Sequence, residues 1–100
     1  MRTLILAALL AAAPAMANDW QQRSQGCAMV AATARSIMQE RQNGVPKHHL
    51  LNMVSSEYGR SIIEDAYTVQ VFNGEHQADI RRIIIEAFRD RVYVNCLNGY

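Results

Sequence analysis

The chain has 100 residues, room for a single domain, and half of them are apolar. Ten Lys+Arg stand against nine Asp+Glu, a formal net charge of +1. So near-neutral a balance argues against nucleic acid or an anionic membrane as the partner, because both select basic surfaces.

Residues 1–17 have the layout of a secretory signal peptide. Arg2 supplies the positive start, Leu4 to Ala13 is a short apolar run, Pro14 breaks it, and Ala15-Met16-Ala17 fits the small-x-small cleavage rule. The apolar run falls well short of the roughly 20 residues that span a bilayer. No cysteine follows the cleavage point, which argues against a lipid anchor, and no later stretch is long and apolar enough to span. Cleavage leaves Asn18 to Tyr100 as one domain, and loss of Arg2 brings its formal charge to zero. Cys27 and Cys96 are the only cysteines, so in an oxidising compartment one disulfide is expected. Their spacing is far too wide for a C-x-x-C redox motif.

Periodicity then predicts four helices. The first runs from Asp19 to Asn43, with Trp20, Cys27, Val30, Ala31, Ala34, Ile37 and Met38 on one face. Gly44 suits the residue just past its end, where a positive φ is easy for glycine, and Pro46 prevents continuation. Pro46 can open a short second helix carrying Leu50, Leu51, Val54 and Tyr58, which Gly59 ends. Ser61-Ile62-Ile63-Glu64 reads as a capping box for a third helix with Ile62, Ile63, Ala66 and Tyr67 inward. Thr68 to Phe72 loses the helical period and reads as an extended connector with no partner strand.

The last helix, Asn73 to Leu97, has Asn73 as its expected N-cap and Glu75 in its first turn. Ile80, Ile84, Phe88, Val92 and Cys96 recur at i+4, flanked by Ile83, Ala87 and Val94 on one side and by Ile85 on the other. The apolar arc covers roughly 220°, where a surface helix needs only about 100°. A central helix, covered on two sides, is therefore expected. Arg81 and Arg91 fall inside that arc, either snorkelling to water or, for Arg91, pairing with Glu64 or Asp65.

Both long helices are about 36 Å long at 1.5 Å per residue, with one cysteine near the start of the first and the other near the end of the last. A disulfide needs Cα atoms within about 7 Å, so the two helices must run antiparallel, pinned at one end. The fold expected is all-α: a small bundle of two long antiparallel helices pinned by a disulfide plus two short helices.

No constellation for catalysis emerges. His48 and His49 are neighbours and point about 100° apart on a helix, so they cannot share an ion, and His76 is the only other histidine. Glu64-Asp65 is likewise a pair that does not face itself. Ser61 has its capping role, and no G-x-S-x-G surrounds it. The arginines at 81–82 and 89–91 alternate with Glu86 and Asp90, as on a solvated helix face. No metal and no cofactor is expected.

Three segments carry a resemblance: A-R-S-I-M-Q-E-R-Q-N-G-V (Ala34 to Val45), E-D-A-Y (Glu64 to Tyr67) and F-R-D-R-V-Y-V-N-C (Phe88 to Cys96). With the leader and the two cysteines, the chain resembles a group of small exported, disulfide-containing helical proteins of bacteria and their phages or prophages. That resemblance implies the fold and no activity. In size and design the chain is also similar to periplasmic immunity or inhibitor proteins and to acid-stress chaperones.

The function expected is that of a non-enzymatic periplasmic or secreted protein that binds another protein, as inhibitor, immunity factor or regulator. The alternative is a holdase chaperone of acid or envelope stress. The place to look for a partner surface is Tyr67, Val69, Val71 and Phe72, where apolar residues gather without a helical period. An extended edge there could accept a strand from the partner. The competing expectation is that this segment folds back and plugs the open end of the bundle.

Overall fold

A computed structural model describes residues 2–99, with side chains from residue 19 onward. Residues 1–17, the expected leader, lie outside the described side chains. Four helices follow in order: α1 (Arg2–Gln42), α2 (Lys47–Leu51), α3 (Glu57–Ala66) and α4 (Ala78–Leu97). Among the described residues there is no strand.

α1 and α4 form the frame. Cys27 is bonded to Cys96 with a Cα–Cα distance of 5.5 Å. Arg35 meets Glu86 at 2.7 Å, and Gln42 meets the backbone of Phe72. As numbering rises along α1 it falls on the other side, so the two helices are antiparallel, as the cysteine positions require. Ala34, Ile37 and Met38 of α1, Leu50 of α2, Ile62, Ile63 and Ala66 of α3, and Phe88 and Val92 of α4 make one core. Ile84 packs against its edge.

α1 closes with the residues expected of it. Gly44 has φ +85°, the Val45 N–H reaches the Glu40 carbonyl at 3.0 Å and the Gly44 N–H reaches Arg41 at 3.0 Å. This paired closure satisfies carbonyls that a helix end otherwise leaves bare.

Four expectations are corrected. Trp20, on the apolar face of α1, is 57% exposed. α1 begins at Arg2, not at Asp19, and since α4 ends one residue after Cys96, the part of α1 before Cys27 has no helix opposite it among the described residues. α2 is only five residues long, with Pro46 just outside it, and Val54 and Tyr58 do not belong to it. The capping box at Ser61 does not form: α3 starts earlier, at Ser56, whose side chain accepts the Gly59 N–H at 3.0 Å. Gly59 lies inside α3 because of close packing: a Cβ there would stand 2.5 Å from Val54 Cγ1. Ser61 instead donates its hydroxyl to the Tyr58 carbonyl.

α4 differs as well. It begins at Ala78, not at Asn73, with Gln77 in the cap position and Asp79 in the first turn. The Gln77 side chain turns back to accept the Gly74 N–H at 2.9 Å, which holds the preceding turn. Nor is α4 covered on two sides. α3 packs on α1 and α2 packs on α3, so Ile80, Ile83 and Val94 remain 42%, 62% and 52% exposed. Arg91 lies over the Phe88 ring at 5.2 Å, and Glu64 pairs with Lys47 at 3.0 Å, so the expected pairing of Arg91 across the bundle is not made.

The disulfide closes a loop of 69 residues, for which chain entropy gives about 4 kcal/mol. Cys27→Ser should lower the unfolding free energy by a few kcal/mol in denaturant titration and leave the helical circular dichroism intact; a mutant that unfolds with the wild type would show that packing alone holds the frame.

Candidate functional site

The segment from Tyr67 to Phe72 is anchored at more than half of its backbone groups. α3 does not stop cleanly at Ala66: the N–H groups of Tyr67, Thr68 and Val69 reach back to Ile63, Asp65 and Ala66. The Thr68 hydroxyl donates to the Asp65 carbonyl at 2.6 Å. The extended run is thus shorter than periodicity suggests and begins at Gln70. Val69 lies in the turn, so it does not share a strand face with Val71.

Gln42 takes the place of the missing partner strand. Its Nε2 donates to the Gln70 carbonyl at 2.8 Å and its Oε1 accepts the Phe72 N–H at 2.8 Å. A side-chain carboxamide carries the same donor and acceptor as a peptide group, so it pairs with an extended backbone as a strand does. Gln42 is only 2% exposed, and burying an amide without these bonds would cost several kcal/mol. On either side, Arg41 Nε donates to the Val69 carbonyl at 3.1 Å and Arg81 Nη1 to the Phe72 carbonyl at 2.5 Å.

Of the side chains expected to meet a partner, Tyr67 and Val69 pack against the core, while Val71 and Phe72 are half-buried. The Tyr67 hydroxyl donates to the Val45 carbonyl, and Arg41 lies 4.8 Å from the centre of its ring. Burial pushes the phenol pKa up, against the lowering effect of Arg41. The phenol therefore remains a donor below tyrosine's ordinary pKa of about 10. Its contribution to stability is whole there and is lost as pH rises through the raised value.

The structure thus brings Tyr67, Val69 and Phe72 together with Arg41, Gln42 and Arg81, three residues that sequence reasoning passed over as functional. A signal for Gln42 was present. It continues the i+4 row of buried residues through Ala34 and Met38, as a polar group at an apolar position.

Elsewhere, His49 sits at the rim of an apolar cleft of about 420 Å³ between α1 and α2, with Ile37, Leu50 and Ile63 in its lining and Met53 at 72% exposure beside it. Among the described residues no group of three metal-ligating side chains converges, and no helix is long and apolar enough to cross a membrane. No protein-family model, curated protein or solved structure matches the chain.

Gln42→Leu keeps the bulk and removes both bonds, leaving the Gln70 carbonyl and the Phe72 N–H unpaired. At about 1–3 kcal/mol for each unsatisfied group, less whatever water recovers, the variant should lose roughly 2–4 kcal/mol of stability. Chemical denaturation measures this; a loss below half a kcal/mol would show that the connector holds its path without Gln42.

Proposed function

We propose that this protein is exported, loses residues 1–17, and acts in the periplasm by binding another protein, as an inhibitor, immunity factor or regulator with no chemistry of its own. The reading is supported by the Cys27–Cys96 disulfide, which suits an oxidising compartment. The leader pattern points the same way. The observation that carries the binding reading is the anchored connector. Its extended portion and flanking turn are fixed by Gln42, Arg41 and Arg81, while Val71 and Phe72 keep part of their apolar surface toward solvent. A loop held in one shape gives up little entropy when it docks, so even a small apolar contact is effective. Most of its backbone groups are already bonded, so side chains would make the contact, not an added strand.

Two experiments test this reading. Intact-mass measurement on material from the periplasmic fraction should give a chain beginning at Asn18; a mass that still includes Met1 to Ala17 would sink the leader assignment. Substituting Val71 and Phe72 together with alanine should leave the melting temperature nearly unchanged and abolish retention of the partner that the wild type retains. If the melting temperature falls and binding falls only in proportion, the segment is a plug of the bundle, and a double mutant that binds at full strength removes it from consideration.

A further inference from the structure

The exposed side of α4 carries a second surface, separate from the connector. At 3.6 residues per turn, Ile80, Ile83, Ala87 and Val94 fall within about 60° of one another. The strip they form lies roughly opposite Cys96, and so faces away from α1, to which Cys96 is bonded. Ile80, Ala87 and Val94 are seven residues apart, the repeat that lets two helices share a straight seam. Ala87, at the midpoint, is exposed and short enough to let another helix come close. None of the described residues covers this strip, with Ile83 at 62% exposure and Val94 at 52%.

Charge on the two flanks says what fits. Asp90 stands about 50° to one side of the strip and Arg91 about 50° to the other. Arg91 lies over the Phe88 ring and has no carboxylate partner among the described residues. Asp90 receives Arg89 on Oδ1 at 2.8 and 3.0 Å, which leaves Oδ2 for another cation. Each copy of the chain thus offers a cation without a carboxylate on one flank and a carboxylate oxygen on the other, at nearly the same height along the helix. A two-fold axis parallel to α4 sets the Arg91 flank of each copy against the Asp90 flank of the other. An axis perpendicular to α4 would set like flanks together, the Glu86 and Asp90 side against itself.

We infer that the protein self-associates through this face, as a parallel α4–α4 pair with the strip Ile80-Ile83-Ala87-Val94 at its seam and two reciprocal Arg91–Asp90 ion pairs at its edges. The seam is short, about 21 Å from Ile80 to Val94 at 1.5 Å per residue. Asp90 also interrupts its apolar run. The dimer is accordingly weak, at the low end of interface sizes below about 1,200 Å². This inference does not depend on the identity of any other partner or on the connector.

Sedimentation equilibrium of the oxidised, exported form tests it. The weight-average mass should climb from monomer toward twice that value as concentration rises to about 1 mM, and added salt should move the transition to higher concentration. Ile83→Lys should give a monomer throughout with an unchanged melting temperature; Ala87→Arg serves the same purpose if that variant folds poorly. Val94→Cys should crosslink to its own copy under mild oxidation, since the two Val94 positions meet only in a parallel pair. A chain that stays monomeric across the range overturns the inference and leaves the face to a different protein. A dimer that survives both seam substitutions, or one in which Val94→Cys does not crosslink, overturns it equally.

Discussion

An antiparallel helix pair needs closing at both ends, and here the end without a covalent tie depends on one buried carboxamide. The chain leaves α3 and must reach the start of α4 through a stretch whose amides and carbonyls have no helix or strand to pair with. Gln42, at the last position of α1, presents one donor and one acceptor at peptide spacing to Gln70 and Phe72. Those two bonds set where the extended run lies. That path in turn places Phe72, whose carbonyl receives Arg81 from the first turn of α4. Removal of Gln42 would bare two part-buried backbone groups at once, a larger effect than loss of a surface ion pair of about 0–1 kcal/mol.

The two ends of the frame are therefore held by different physics. The disulfide acts chiefly on the unfolded chain, by limiting its entropy. The Gln42 bonds act on the folded state, because they decide between one path of the connector and many. Between them the core is modest: alanines on α1 set the close approach of the helices, and Met38, Ile63 and Phe88 fill the middle. A domain of this size buries too little to be indifferent to either tie.

Much of this architecture can be read from residue order, and the exceptions share a cause. The antiparallel frame followed from where Cys27 and Cys96 stand on two long helices, because a bond of fixed reach leaves one arrangement. Gly44 and Pro46 punctuate α1 for local steric reasons, and local reasons are legible. α3 starts at Ser56 although S-x-x-E at Ser61 also matches a cap locally: Ser56 accepts the Gly59 N–H, and Gly59 itself packs too closely on Val54 for any Cβ. The role of Gln42 is not legible locally, because its partners are 28 and 30 residues away. The breadth of the apolar arc on α4 was read as burial on two sides. Among the described residues no second helix covers α4, and the surplus is exposed surface. For the candidate partner surface, sequence located the segment but not its turn at Val69 or the anchors that fix it.

The most direct test of the account is amide hydrogen exchange at Phe72. In a free loop this N–H would exchange at close to the rate of an unfolded peptide. With Gln42 Oε1 as its acceptor, it should be protected to nearly the level of amides in the buried part of α4, and the protection should vanish in Gln42→Leu while that of α4 itself persists. Exchange of the Phe72 amide at the unprotected rate in the wild-type protein would contradict the closure described here.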